Sequence, residues 1–247
     1  MEEEILEIEE KKIALLLGGG SGLRAGGSLP KQFVLIGGRP LLWWSMHSFL
    51  TADPTTRLIV ALHADHLETW RRLMEELPAE DRYEHEIVVG GAERIDTVAN
   101  ALAAVKEEGA EADLTLVAIH DGARPLATPI LINRGWDCAR ENGSAVPGVA
   151  MTDSVRRLDK AGDLKGGSHA VDRACFVTVQ TPQVFRLPLL RAAYAAREPG
   201  KTYTDDASLV EQIAPVAIYE GERNNLKVTL AEDFITAERM LGFIHRK

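Results

Sequence analysis

Residues 15–31, LLLGGGSGLRAGGSLPK, decide how the rest of the chain is read. The apolar run Ile13–Leu17 ends abruptly in Gly18, Gly19, Gly20, Ser21 and Gly22, the pattern of a buried strand delivering a loop. Glycines leave backbone N–H groups unshielded, so such a loop can close around phosphate oxygens and donate to several of them. Arg24 and Lys31 follow on the same stretch and would add full charge where the loop supplies dipoles. Three readings compete: a plain turn with solvated cations, a dinucleotide fingerprint, and a nucleoside triphosphate site. Gly20-Ser21-Gly22-Leu23-Arg24-Ala25 fits the loose G-x-G-x-x-A form, but Gly26, Gly27 and Pro30 interrupt the helix that form requires. Where an acid is expected about 20 positions on, Leu41, Leu42 and Trp43 stand instead. A Walker loop fails because no Gly precedes Lys-Ser or Lys-Thr. The triphosphate reading, with Arg24 and Lys31 holding a nucleotide that loses pyrophosphate, fits best.

Outward from this loop, apolar runs rich in Leu, Ile and Val recur at residues 13–17, 58–62, 87–89 and 114–119, each followed by a helical pattern. That alternation predicts strands joined by helical crossovers, hence a mostly parallel sheet with helices on both faces. Residues 41–50 and 67–77 read as packing helices, with Trp43 and Trp44 in core and rim positions. Gly90-Gly91-Ala92-Glu93-Arg94-Ile95-Asp96-Thr97 follows the third run and places a second glycine corner at the carboxyl edge of the sheet, where ligands bind in such folds. His120-Asp121-Gly122-Ala123-Arg124-Pro125 follows the fourth: Asp121 can hold Mg²⁺ or a hydroxyl, Arg124 a phosphate, and His120 reads as packed. Residues 151–173 are polar and read as a protruding hairpin that must either stand loose in solvent or clasp a partner subunit, the latter burying Val155, Leu158, Leu164 and Val171. Residues 176–179 resume as a strand, 180–185 form a tight corner, and Thr204-Asp205-Asp206-Ala207-Ser208-Leu209 opens a capped helix. Residues 216–219 and 226–229 read as short strands and 231–245 as a closing helix.

The chain has 247 residues, 45 % apolar and 26 % charged, which suits one globular domain over residues 13–247 behind an acidic extension, 1–12. Its formal charge of −9 and the lack of any Lys/Arg block argue against nucleic acid, while a few cations in one pocket still suit a small phosphorylated ligand. Cys138 and Cys175 show neither metal spacing nor a disulfide framework, which fits a reducing cytoplasm. No apolar run reaches the roughly 18 residues of a membrane helix.

The motifs GGGSGLR, PKQF, GGAERIDTV, HDGARP, VDR, QTPQVF, TDDASLVE and NLKVT, in this order over nearly the whole chain, resemble the 2-C-methyl-D-erythritol 4-phosphate cytidylyltransferases. The resemblance implies a Rossmann-like α/β fold with a protruding β-arm for homodimerisation. It also implies a Mg²⁺-dependent reaction in which CTP and a small sugar-alcohol phosphate give the cytidine diphosphate derivative and pyrophosphate. It places Arg24 and Lys31 on the CTP phosphates, and Gly18, Gly19, Gly91 and Thr97 around cytosine, with Gly20 and Gly22 in the same loop. Asp121, Arg124, Thr181, Thr204 and Lys227 fall on the substrate side, Asp121 also as the metal candidate, while Arg173 and Ser154 lie on the arm that reaches the other subunit's site. The family usually carries alanines at positions 18, 19 and 122, an acid at 92 and a threonine at 154; Ser154 keeps the hydroxyl. Three alternatives remain at this point: a ribitol 5-phosphate cytidylyltransferase, a nicotinamide-dependent oxidoreductase built on GSGLRA, and a binding protein without activity.

Overall fold

The computed structural model describes residues 9–19, 30–198 and 200–244. In chain order the elements are β1 (Lys11–Gly18), β2 (Leu35–Ile36), β3 (Arg39–Pro40), α1 (Leu41–Ala52), β4 (Arg57–Leu62), α2 (Leu67–Glu75), β5 (Glu86–Val89), α3 (Arg94–Ala103), α4 (Gly109–Asp113) and β6 (Thr115–Asp121). They continue with α5 (Pro129–Asn142), β7 (Ser144–Ala150), β8 (Val155–Leu158), β9 (Ser168–Val171), β10 (Val177–Val179), β11 (Gln183–Arg186), α6 (Leu187–Ala195), α7 (Asp206–Val210), β12 (Ile218–Glu220) and α8 (Ala231–Ile244).

The four strands expected from the apolar runs, β1, β4, β5 and β6, lie side by side and parallel in the order β6-β1-β4-β5. Their unbroken apolar character has a direct cause, because both faces of the sheet are covered. On one face Ala14, Leu16, Leu58, Val60, Leu62, Leu116 and Ala118 pack under residues of α1, α2, α5 and α8. On the other, Ile13, Leu15, Ile59, Ala61, Val117 and Ile119 meet residues of α3, α6 and α7. Each such buried Leu or Ile contributes about 1.5–3 kcal/mol, which commits the strands to the interior. Trp43 and Trp44 are both core residues. All four parallel strands end at one edge, and the corners after β1, β5 and β6 gather there.

The other half of the sheet departs from the local reading. Residues 183–186 are a strand, β11, wedged antiparallel between β6 and β7. β10 pairs antiparallel with β7, and β12 lies parallel to it. Residues 226–229 form no strand. Their N–H groups go elsewhere, Val228 to the Ala123 carbonyl at 2.8 Å and Thr229 to the Asp233 carboxylate at 2.7 Å, so no ladder can form. Residues 155–171 fold as a hairpin, with β8 antiparallel to β9 and Val155 opposite Val171. This hairpin is a two-stranded sheet of its own, and Leu164 near its tip is 87 % exposed.

Candidate active site

Lys31 follows Pro30 in a short 3-10 turn, and its neighbours fix the place of its backbone. Phe33 is buried and stacks on Trp70, with ring centroids 5.6 Å apart, while the buried Gln32 amide donates to the Gly18 carbonyl. The Lys31 ammonium donates to the Val228 carbonyl at 2.9 Å, which sets it beside Lys227.

The end of β6 is braced from behind. The Asp121 N–H donates to Thr181 Oγ1 at 3.0 Å, and that oxygen lies 3.1 Å from His120 Nδ1, while His120 Nε2 lies 3.2 Å from the Arg124 carbonyl. One assignment satisfies all three: His120 carries its proton on Nε2 and donates to Arg124, and the Thr181 hydroxyl donates to Nδ1. His120 is fully buried, and burial pulls its pKa down to about 4, which keeps the ring neutral.

Around the Asp121 carboxylate stand three cations: Lys227 Nζ at 2.8 Å, Arg94 Nε at 3.6 Å and Arg124 Nε at 3.6 Å. Burial would raise the carboxyl, but Arg94, Lys227 and Arg124 outweigh it and hold it well below the usual carboxylate range. Arg94 also reaches the fully buried Asp206, with Nη2 2.7 Å from Oδ2.

The second glycine corner is packed to its limit. The Gly91 N–H donates to Thr97 Oγ1 at 3.0 Å, and that hydroxyl donates in turn to the Glu93 carbonyl at 3.0 Å. A Cβ on Gly91 would lie 2.2 Å from Asp96 Cβ. Only glycine fits.

Between the corners opens a cavity of about 420 Å³, lined by Gly18, Gly19, Lys31, Gly91, Arg94, Thr97, Asp121 and Lys227 together with Leu17, Gln32, His63, Ala92, Glu93 and Ala123. This volume suits a nucleotide-sized ligand. It runs across β6, β1, β4 and β5, about 14 Å or three inter-strand spacings. Lys31 and Lys227 crowd the β6 end, toward which Arg94 turns its guanidinium, whereas at the β5 end Gly91, Ala92 and Thr97 offer backbone and hydroxyl groups beside Glu93. The cavity therefore has an anion-binding end and a glycine end.

Of the residues singled out in the sequence, Lys31, Gly18, Gly19, Gly91, Thr97, Asp121 and Lys227 share one cavity. Arg124 supports Asp121 and donates to the Asn225 carbonyl at 2.8 Å. Thr181 lies behind the wall, with its hydroxyl committed to His120 and Asp121. Thr204 is exposed ahead of α7, whose cap is Asp205, accepting from the Ser208 N–H at 2.9 Å. Ser154 and Arg173 are exposed on the arm, where Arg173 donates to the Thr152 carbonyl. Gly20, Gly22 and Arg24 lie outside the described residues. Local reading missed Arg94, Asp206 and His63. Arg94 had a signal, being a cation that opens a helix directly after a glycine corner.

Among the described residues no three His, Cys, Asp or Glu side chains come together in a way that could hold a metal ion. Asp121 is a single carboxylate, which suits a magnesium ion that arrives with most of its ligands supplied by phosphates and water. The two cysteines are unpaired, and no helix among the described residues is long and apolar enough to cross a membrane.

Comparison with known proteins adds a second line of argument. Residues 13–242 match the family model described as 2-C-methyl-D-erythritol 4-phosphate cytidylyltransferase. A protein of that name from Bacteroides thetaiotaomicron is 36 % identical over 94 % of this chain and 100 % of its own. Another from Porphyromonas gingivalis is 38 % identical, covering 95 % of this chain and 99 % of its own. The crystal structure of the Thermus thermophilus enzyme of the same name superposes with a TM-score of 0.71 at 32 % identity, over 93 % of this chain and 98 % of that one.

Proposed function

The chain belongs to the 2-C-methyl-D-erythritol 4-phosphate cytidylyltransferase family, and from that premise we propose how its cavity works on CTP. The enzyme transfers CMP from CTP to 2-C-methyl-D-erythritol 4-phosphate and releases pyrophosphate. Membership removes the oxidoreductase alternative. Cytosine takes the glycine end at Gly18, Gly19, Gly91 and Thr97, and the triphosphate takes the cationic end at Lys31; Arg24 joins it there as the family resemblance implies. The observation that carries this reading is the division of one cavity into those two ends.

A phosphate oxygen of methylerythritol phosphate attacks the α-phosphorus of CTP. The new P–O bond forms as the bond to the bridging oxygen breaks, and pyrophosphate leaves with that electron pair. No protein nucleophile is needed, so catalysis is positioning plus charge stabilisation. Lys31 and Arg24 hold charge that grows on the triphosphate, and Lys227 and Arg173 hold the attacking phosphate. Arg124, and Thr181 from behind the wall, hold Asp121 in place on the substrate side, and Thr204 serves that side from ahead of α7. Magnesium, held by Asp121 and phosphate oxygens, would supply further neutralisation of that charge.

Arg173 acts across a homodimer. The hairpin buries little within its own chain, and an isolated two-stranded sheet is marginal in water. Leu164, Phe176, Val177 and Val179 are exposed along the arm and the adjoining β10, as a surface that takes a second copy requires. In the dimer Arg173 and Ser154 enter the neighbouring cavity. Unpaired cysteines fit a cytoplasmic setting.

The test is pyrophosphate release from CTP with methylerythritol phosphate and ribitol 5-phosphate offered in parallel. Turnover with the first is expected. Faster turnover with ribitol phosphate would reassign the alcohol, and turnover with neither would overturn the reading.

A further inference from the structure

Asp206 is wholly buried beneath the cavity, yet it does not cap its own helix, because Asp205 does that. Its Oδ1 accepts the Tyr194 hydroxyl at 2.6 Å, and its Oδ2 lies 2.7 Å from Arg94 Nη2. Arg94 stands at the start of α3, lines the cavity, and turns its Nε toward Asp121 Oδ1 at 3.6 Å. The three cations around Asp121 are therefore not equivalent. Arg124 is tied to the Asn225 carbonyl, and Arg94 is tied to a buried carboxylate that a tyrosine fixes in turn. Lys227 is different. Its side chain is 45 % exposed, and its single ammonium sits at the end of a flexible stem.

We propose that Asp206, oriented by Tyr194, is a positioning residue that holds Arg94 back from Asp121, leaving Lys227 as the exchangeable partner of Asp121. On substrate binding Lys227 moves from Asp121 to the incoming phosphate, while Arg94 stays in place. The nature of that phosphate rests on the reaction assigned above; the pinning of Arg94 does not. Were Asp206 neutral, the guanidinium would be left partly buried without its partner. It would then close the remaining gap to form a two-pronged pair with Asp121, a geometry Arg favours and from which it is hard to displace. The carboxylate would be masked from both substrate and metal.

The experiment uses the full chain and the near-isosteric variant Asp206→Asn, with side-chain NMR of the Arg94 guanidinium and the Lys227 ammonium. In the wild type, adding CTP and then methylerythritol phosphate should shift the Lys227 signal and leave that of Arg94 in place. In Asp206→Asn the Arg94 signal should move before any ligand is added. Turnover should fall about tenfold or more, as for removal of other orienting partners, with the KM for CTP little changed. The double variant Asp206→Asn with Asp121→Asn should be no slower than Asp121→Asn alone, because one acts through the other. A merely structural role would instead multiply the two losses, and that result overturns the proposal. So does a ligand-induced shift of Arg94 with Lys227 unmoved. If Asp206→Asn fails to fold, Tyr194→Phe keeps both carboxylates and should move the same signals less far; unchanged signals there also overturn it. A wild type without turnover would refute the assigned reaction, while the ligand-free Arg94 signal would still test the pinning.

Discussion

Replacing Gly91 by alanine puts a methyl group where the nucleotide wall has no room. Its Cβ would stand 2.2 Å from Asp96 Cβ, 2.8 Å from the Asp96 carbonyl carbon and 3.0 Å from the Thr97 nitrogen. Two of these are backbone atoms in the first turn of α3, so no flexible side chain can swing aside, and the corner itself must shift. That shift pulls apart the 3.0 Å bond from the Gly91 N–H to Thr97 Oγ1. Overpacking costs about 1–3 kcal/mol and the lost bond about 0.5–1.5, so a total of about 2–4 kcal/mol is expected. At about 2–4 °C per kcal/mol for a chain of this size, Tm should fall by roughly 5–15 °C. Because the same atoms form the glycine end of the cavity, the KM for CTP should rise about tenfold or more, about 1.4 kcal/mol being one factor of ten. Gly242→Ala in α8 is the control: nothing lies within 4 Å of its Cβ, so Tm should not fall and KM should stay at wild type. Thermal unfolding and pyrophosphate release measure both quantities. A Gly91→Ala enzyme with wild-type Tm and KM would refute the packing argument and the placement of cytosine together.

Lys31→Ala should lower kcat by an order of magnitude or more and raise the KM for CTP far less, since its charge is needed most in the transition state; near-normal kcat would remove it from the mechanism. Arg173→Ala and Lys31→Ala chains, each nearly inactive, should regain about a quarter of full activity when mixed and allowed to exchange subunits, because each mixed dimer has one intact site. No recovery on mixing would place Arg173 in its own subunit's cavity. His120 gives a pH prediction. Its pKa is 6.5 in the unfolded chain and about 4 when buried, so between those values protons bind the unfolded state and stability falls as pH falls. The loss reaches at most about 3 kcal/mol by pH near 4, at about 1.36 kcal/mol per pH unit. His120→Asn should flatten that slope in denaturant melts, and an unchanged slope would contradict the buried neutral ring.

The sequence by itself determined the elements whose cause is local. The run Ile13–Leu17 had to be a strand covered on both faces, because five consecutive apolar residues stopped by glycine leave no polar face to solvent. For the same reason the corners at Gly18–Gly19 and Gly90–Gly91 fell at the ligand edge, and the polar 151–173 segment stood out as a hairpin. Tertiary structure decided whatever depends on partners distant in the chain. The segment 183–186 reads as part of a corner, yet the open edges of β6 and β7 make it a strand. The segment 226–229 reads as a strand, yet Ala123 and Asp233 take its N–H groups. Thr181 is an ordinary hydroxyl in the sequence until His120 and Asp121 meet on either side of it. Arg94 and Asp206 show no mutual signal, because an ion pair 2.7 Å long is set by where the fold brings the starts of α3 and α7, and a spacing along the chain does not encode a distance through space.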